Sequence, residues 1–135
     1  MTGGDGSRQL LLATVLVVED NEVNLTLVRD LLEHHGYHVV VARDGEEGVA
    51  LARAKRPAVI LMDLQMPRMD GFAATREIRR DPLISATPVV ALTGFAMAED
   101  RERAVAAGCD EVICKPVKIA EVVATVRRHA GVPGA

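Results

Sequence analysis

Ala58-Val-Ile-Leu-Met62 runs directly into Asp63, and the reading of that stretch decides the fold. A short, unbroken apolar run fits a strand of a parallel sheet buried on both faces. Four more runs share the character: Thr14 to Val18, His38 to Ala42, Pro88 to Leu92 and Glu111 to Cys114. Longer polar-apolar segments lie between them. In the first of these, Val23, Leu27 and Leu31, with Val28 and Leu32, recur at helical spacing, and Gly36 follows as the expected C-cap. Asp44 is placed to cap a second helix, and Asp70 a third that ends before Asp81-Pro82. The fourth, Ala98 to Ala107, is rich in Ala and Arg with a weak apolar stripe, and Gly108 closes it. That helix reads as the least firmly anchored. The last carries Ile119, Val122, Val123 and Val126 on one face. The pattern predicts an α/β fold of type (βα)5, with right-handed crossovers placing helices on both faces. Strand order is not set by spacing.

The bulk properties agree with a single folded domain. A chain of 135 residues buries roughly two-thirds of its unfolded surface without disulfides or structural metal. Hydrophobic content of 49% and charged content of 26% match neither a disordered nor a fibrous composition. The Gly-rich start, Met1 to Ser7, followed by Gln9-Leu-Leu-Leu12, is too short in its apolar part for a signal-peptide core. No apolar stretch approaches the roughly 20 residues of a membrane span. The expectation is a cytoplasmic protein with a loose tail over residues 1–12, a domain over 13–131 and a short tail over 132–135. Cys109 and Cys114 form no CxxC motif and are too few for structural zinc, so they read as reduced, partly buried thiols. A net charge of -3, with Tyr37, Phe72 and Phe95 as the aromatics, offers neither a basic stripe nor a stacking platform. That argues against direct nucleic-acid binding.

Polar residues follow the apolar runs at telling places. Glu19 and Asp20 follow the first, Asp63 the third, Thr93 the fourth and Lys115 the fifth. All five fall at C-terminal strand ends, the edge where open α/β sheets bind ligands. If strands one and three are neighbours, the three carboxylates converge. At about 5 Å and an effective dielectric near 20, each like-charge pair costs on the order of 3 kcal/mol. Such a cluster calls for a cation, and oxygen ligands in an open site suit Mg²⁺. Lys115 adds a positive charge and Thr93 a hydroxyl donor. Around one carboxylate these groups form a site for a phosphoryl group, with Asp63 as a nucleophile that forms an acyl phosphate.

At this point the sequence resembles the receiver domain of bacterial two-component response regulators. The matching residues are Glu19-Asp20-Asn21, Met62-Asp63-Leu-Gln-Met66-Pro67-Arg-Met-Asp70-Gly71, Ala91-Leu-Thr93-Gly and Cys114-Lys115-Pro116. Four separated motifs in order, over about residues 13 to 131, make the resemblance specific. It implies a flavodoxin-like doubly wound sheet of order 2-1-3-4-5, a property of the family rather than of the spacing. It implies phosphorylation of Asp63 by a sensor histidine kinase or histidine phosphotransfer protein, and output through a downstream protein target. Asp20 and Asp63 are implied as direct Mg²⁺ ligands, Glu19 as a ligand through water, and the backbone carbonyl of Gln65 as another. Thr93 and Lys115 would hold the phosphoryl oxygens, and Lys115-Pro116 resembles the family's cis peptide. Met66, Pro67 and Gly71 read as geometry, and Phe72 as core.

One departure stands out. The family usually carries Tyr or Phe three residues before the Lys, as a gate that moves with the Thr, and here that position is Val112. Phe95, two residues after Thr93, is the nearest aromatic on the neighbouring loop and a candidate for controlling access to the phosphoryl group or contacting partners. The motif form fits both a stand-alone receiver and one excised from a hybrid kinase. Two enzyme or cofactor readings of the same fold fail on charge. Glu19-Asp20-Asn21 would repel a flavin phosphate, and a haloacid-dehalogenase-type phosphatase needs an acid where Gln65 stands. The expected protein is therefore a switch with slow self-hydrolysis rather than a turnover enzyme.

Overall fold

The computed structural model describes residues 13–66, 69–94 and 98–132. The tail expected at 1–12, most of that at 132–135, Pro67 and Phe95 lie outside the described residues. Strands and helices alternate strictly: β1 (Thr14–Val18), α1 (Glu22–His34), β2 (His38–Ala42), α2 (Gly45–Lys55), β3 (Val59–Asp63), α3 (Gly71–Arg80), β4 (Val89–Thr93), α4 (Ala98–Ala107), β5 (Glu111–Cys114) and α5 (Ile119–Ala130). The strands form one sheet of order β2-β1-β3-β4-β5, and every neighbouring pair is parallel. This is the expected (βα)5 architecture and order.

The opening stretch behaves as its composition demands. β3 and β4 sit inside the sheet, with all five residues of each buried, because helices cover both faces. Both strands begin one residue later than the apolar runs and end on the polar residues Asp63 and Thr93. Pro88 has no N–H to donate to the ladder, yet its carbonyl accepts from Ile60 N–H at 2.9 Å. One face of the sheet, with Leu16, Ile60, Met62 and Ala91, packs against α2, α3 and α4. The other, with Val15, Leu61, Leu92 and Ile113, packs against α1 and α5.

The helix starts follow local chemistry. Asn21, Asp44 and Asp70 each accept from a backbone N–H three residues on, at 3.0, 2.8 and 2.9 Å, satisfying one of the donors that a helix start leaves open. Gly36 follows the C-cap residue His35 with a φ of 92°, a conformation that glycine adopts without steric cost.

The buried faces differ from the expectation at two helices. α1 buries Leu25, Val28 and Leu32, while Val23 and Leu27 are 76% and 53% exposed. Leu25 and Leu27 are separated by about 200° around the helix, so burying one turns the other to solvent. In α5, Val122, Val123 and Val126 are buried, but Ile119, the first residue of the helix, is exposed.

Candidate functional site

The sheet register brings the polar strand ends together. Val18 pairs with Met62, so the residues that follow, Glu19 and Asp63, stand side by side. The ladder continues past the strands: Glu19 N–H donates to Ala42 O at 3.0 Å, Leu64 N–H to Leu92 O at 3.0 Å and Lys115 N–H to Thr93 O at 2.7 Å. These bonds make the edge a fixed platform rather than a set of loose loop ends. Gly71 closes it from the α3 side. A Cβ there would lie 2.3 Å from the Asp63 carbonyl oxygen and 2.7 Å from Leu64 Cα, so the helix start rests directly on the end of β3.

Glu19, Asp63 and Thr93 are almost fully buried, and Asp20 is exposed. Carboxylate oxygens of Glu19, Asp20 and Asp63 all lie within 4.8 Å of one another. Lys115 Nζ is 3.0 Å from Glu19 Oε1 and 3.4 Å from Asp63 Oδ2. Gln65 N–H donates to Asp63 Oδ1 at 3.0 Å. Five of the residues expected from sequence, Glu19, Asp20, Asp63, Thr93 and Lys115, thus share one edge, with the Gln65 backbone beside them. Pro116 follows through a cis peptide bond. Val112 lies apart, half-buried on β5 and paired with Ala91.

Charge in this pocket is unbalanced. Burial pushes the Asp63 carboxyl up to about 7, the neighbouring Glu19 adds to that, and the Gln65 N–H and Lys115 oppose it. Burial also pushes Glu19 up, but hydrogen bonding to Asp63 and Lys115 outweighs it and holds Glu19 below its ordinary value. Burial lowers Lys115, and its two carboxylate neighbours reverse this and raise it. Two carboxylates and one ammonium leave an excess negative charge, so near neutrality the pair tends to keep a proton, on Asp63. One buried oxygen, Glu19 Oε2, has no hydrogen-bond partner among the described residues. An all-oxygen cluster with an orphaned buried carboxylate oxygen fits a hard divalent cation.

Two contributors escaped the sequence reading. The Gln65 side chain reaches across the site, its Oε1 accepting from Gly94 N–H at 3.3 Å; no spacing signal marks a side chain that bridges two loops. Asn24 joins Glu19, Leu27, Val28, Lys115 and Pro116 around a cavity of about 430 Å³ between α1 and the loop after β5. Its position on the first turn of α1, four residues after Asp20, was the available hint.

Residues 15–127 match the model of the response regulator receiver domain. The chain belongs to that family. The receiver is 41% identical over 118 residues to the polar-differentiation response regulator DivK of Brucella anthropi, covering 87% of this chain and 96% of that protein. Among solved structures it resembles the receiver domain of the sensor histidine kinase PA1611 from Pseudomonas aeruginosa. That match has a TM-score of 0.83 and 39% identity, and covers 89% of this chain and 98% of the other. The Pseudomonas structure has a magnesium ion coordinated in its active site cleft. The Vibrio cholerae chemotaxis protein CheY4 matches with a TM-score of 0.83 at 31% identity, over 87% of this receiver and 98% of that chain. No helix among the receiver's described residues is long and apolar enough to cross a membrane.

Proposed function

We propose that this receiver, residues 13–131, works as a phosphorylation switch in which Asp63 accepts a phosphoryl group from a histidine on a sensor kinase or phosphotransfer protein. The observation that carries this reading is the convergence of Glu19 and Asp20 on Asp63, with Lys115 Nζ 3.4 Å from the Asp63 Oδ2. An Asp63 carboxylate oxygen attacks the phosphorus of the phosphohistidine. The P–N bond breaks, its electron pair returns to the imidazole, and an acyl phosphate remains on Asp63. Lys115 and the Thr93 hydroxyl are placed to take the phosphoryl oxygens, each balancing charge that water would otherwise balance. Asp20, Asp63 and the Gln65 carbonyl would hold Mg²⁺, with Glu19 behind them. Bound there, the ion supplies the positive charge that the carboxylates and the incoming phosphoryl group require.

The donor approaches over α1 and the loop after β5. There the exposed Leu27 lines one cavity with Glu19, Lys115 and Pro116, giving an apolar contact next to the reacting atoms. Output passes to a downstream protein target, in the cytoplasm and without direct DNA binding. The acyl phosphate then hydrolyses slowly, so each cycle is one switching event rather than enzymatic turnover. The likeness to a receiver carried by a sensor histidine kinase supports a second reading, a receiver taken from a hybrid kinase; the chemistry at Asp63 is the same in both.

Acetyl phosphate labelling followed by intact mass tests the proposal. Wild type with Mg²⁺ should gain one phosphoryl group, and Asp63→Asn none. Equal labelling of Asp63→Asn would remove Asp63 as the nucleophile. Labelling that ignores chelation of the metal would remove Mg²⁺.

A further inference from the structure

The face of the sheet beneath α4 carries a contact that the site does not use. Thr93 pairs with Cys114, and Ala91 with Val112. Side chains alternate across a strand, so Ala91, Thr93, Val112 and Cys114 share one face. That is the face with Ala91 and Val112 in the core layer where α4 buries Ala104 and Ala107. Arg101 stands one turn before Ala104 and on the same side of the helix. Its Nη2 donates to Cys114 Sγ at 3.2 Å. A guanidinium from an exposed residue therefore lies against the strand position paired with Thr93.

We propose that Arg101 is the side chain through which this receiver turns phosphorylation of Asp63 into a changed surface over α4 and β5. The inference rests on the reading of Asp63 as the phosphoacceptor. When the phosphoryl oxygens take the Thr93 hydroxyl as a donor, that side chain turns toward Asp63 and gives up its packing beside Cys114. The guanidinium, already at Sγ, moves into the space, drawn by the negative charge added at Asp63. Arg suits this role because its long stem spans the distance while its planar head stays charged and is only weakly hydrated. Val112 places no aromatic ring in competition with it. α4 meets this face through alanines, so the helix can follow the movement. The surface then loses an exposed cation, a change that a partner can read.

Nitrogen-15 NMR of the arginine Nε–Hε groups and the backbone amides, with Mg²⁺ and beryllofluoride as the phosphoryl mimic, tests this. On adding the mimic, the Arg101 Hε should shift and exchange with water about tenfold more slowly, while Arg53, paired with Asp81 beyond the end of α3, stays unchanged. In Arg101→Ala, the mimic should still shift the Gln65 and Thr93 amides, but the shifts at Ala104 and Val112 should fall by about half or more. Arg101→Lys, which keeps the charge without the planar fork, should recover only part of them. Shifts at Gln65 and Thr93 with an unmoved Arg101 Hε, or full α4 and β5 shifts in Arg101→Ala, overturn this inference alone. No shift at Gln65 or Thr93 in the wild type overturns the Asp63 reading and this inference with it.

Discussion

Helices α3 and α4 are each ten residues long and pack against the same face of the sheet, yet they are held by different means. α3 buries Gly71, Phe72, Ala74, Thr75 and Ile78 and is capped by Asp70 at 2.9 Å. Arg79 also ties it to Gly108, Ser85 and Thr87 carbonyls and to the Asp110 carboxylate. α4 buries only Ala104 and Ala107. It reaches its surroundings through long polar side chains, Arg101 to Cys114 and Arg103 over the Phe72 ring at 4.3 Å. The first helix fixes Asp63, because its start rests on the end of β3. The second can change position at small cost, because few apolar contacts have to break. Firm anchoring thus lies beside Asp63, and light anchoring lies along α4.

Four measurements would break or sharpen this contrast. Ile78→Ala empties a fully buried position on α3 and should cost about 2–5 kcal/mol in urea unfolding. A loss below about 1 kcal/mol would mean that α3 is no better anchored than α4. The second concerns the charge that α3 holds in place. The Asp63 carboxyl lies at about 7 in the folded protein against an ordinary 3.8, so the folded state keeps a proton that the unfolded chain releases. Without divalent cations, wild-type stability should therefore fall relative to Asp63→Asn as pH rises from 3.8 to about 7. The difference should be on the order of 2 kcal/mol and flat beyond that window. Parallel pH curves for the two proteins would show that the carboxylates are not in conflict. Asp70→Ala removes the α3 cap and should cost about 1 kcal/mol; no change in the unfolding midpoint would assign the helix start entirely to Gly71. Val105→Ser, at an exposed position of α4, should change stability by less than about 0.5 kcal/mol. A larger loss would show that α4 is anchored by more than its two alanines.

Much of this was legible in the chain itself. The five apolar runs gave the strands to within one residue because burial confines polar residues to the strand ends, as with His38, Glu111, Asp63 and Thr93. Asp44 and Asp70 announced helix starts because a side-chain oxygen three residues before an open N–H acts locally. The five candidate residues could be named because each ends a strand or follows one within two residues. The buried face of α1 could not be read correctly, since Val23, Leu25, Leu27 and Val28 offer two overlapping apolar stripes. Packing against β1 and its neighbours chose Leu25 and Val28. The reach of Gln65 to Gly94, of Arg101 to Cys114 and of Arg79 across two loops left no periodic trace, because each joins segments far apart in sequence.

Sequence alone determined the alternation of strands and helices and the placing of carboxylates, hydroxyl and lysine at strand ends, since periodicity and caps are local. Its motifs also pointed to the receiver family. Tertiary structure decided what those groups do to one another. The pairing of β1 with β3 put Glu19 beside Asp63, and their shared burial raised Asp63 and placed Lys115 between the two. It also decided that Thr93 and Cys114 are partners with Arg101 above them. Distances of a few ångströms between residues tens of positions apart arise from strand register and helix packing, and those exist only once the whole sheet has formed.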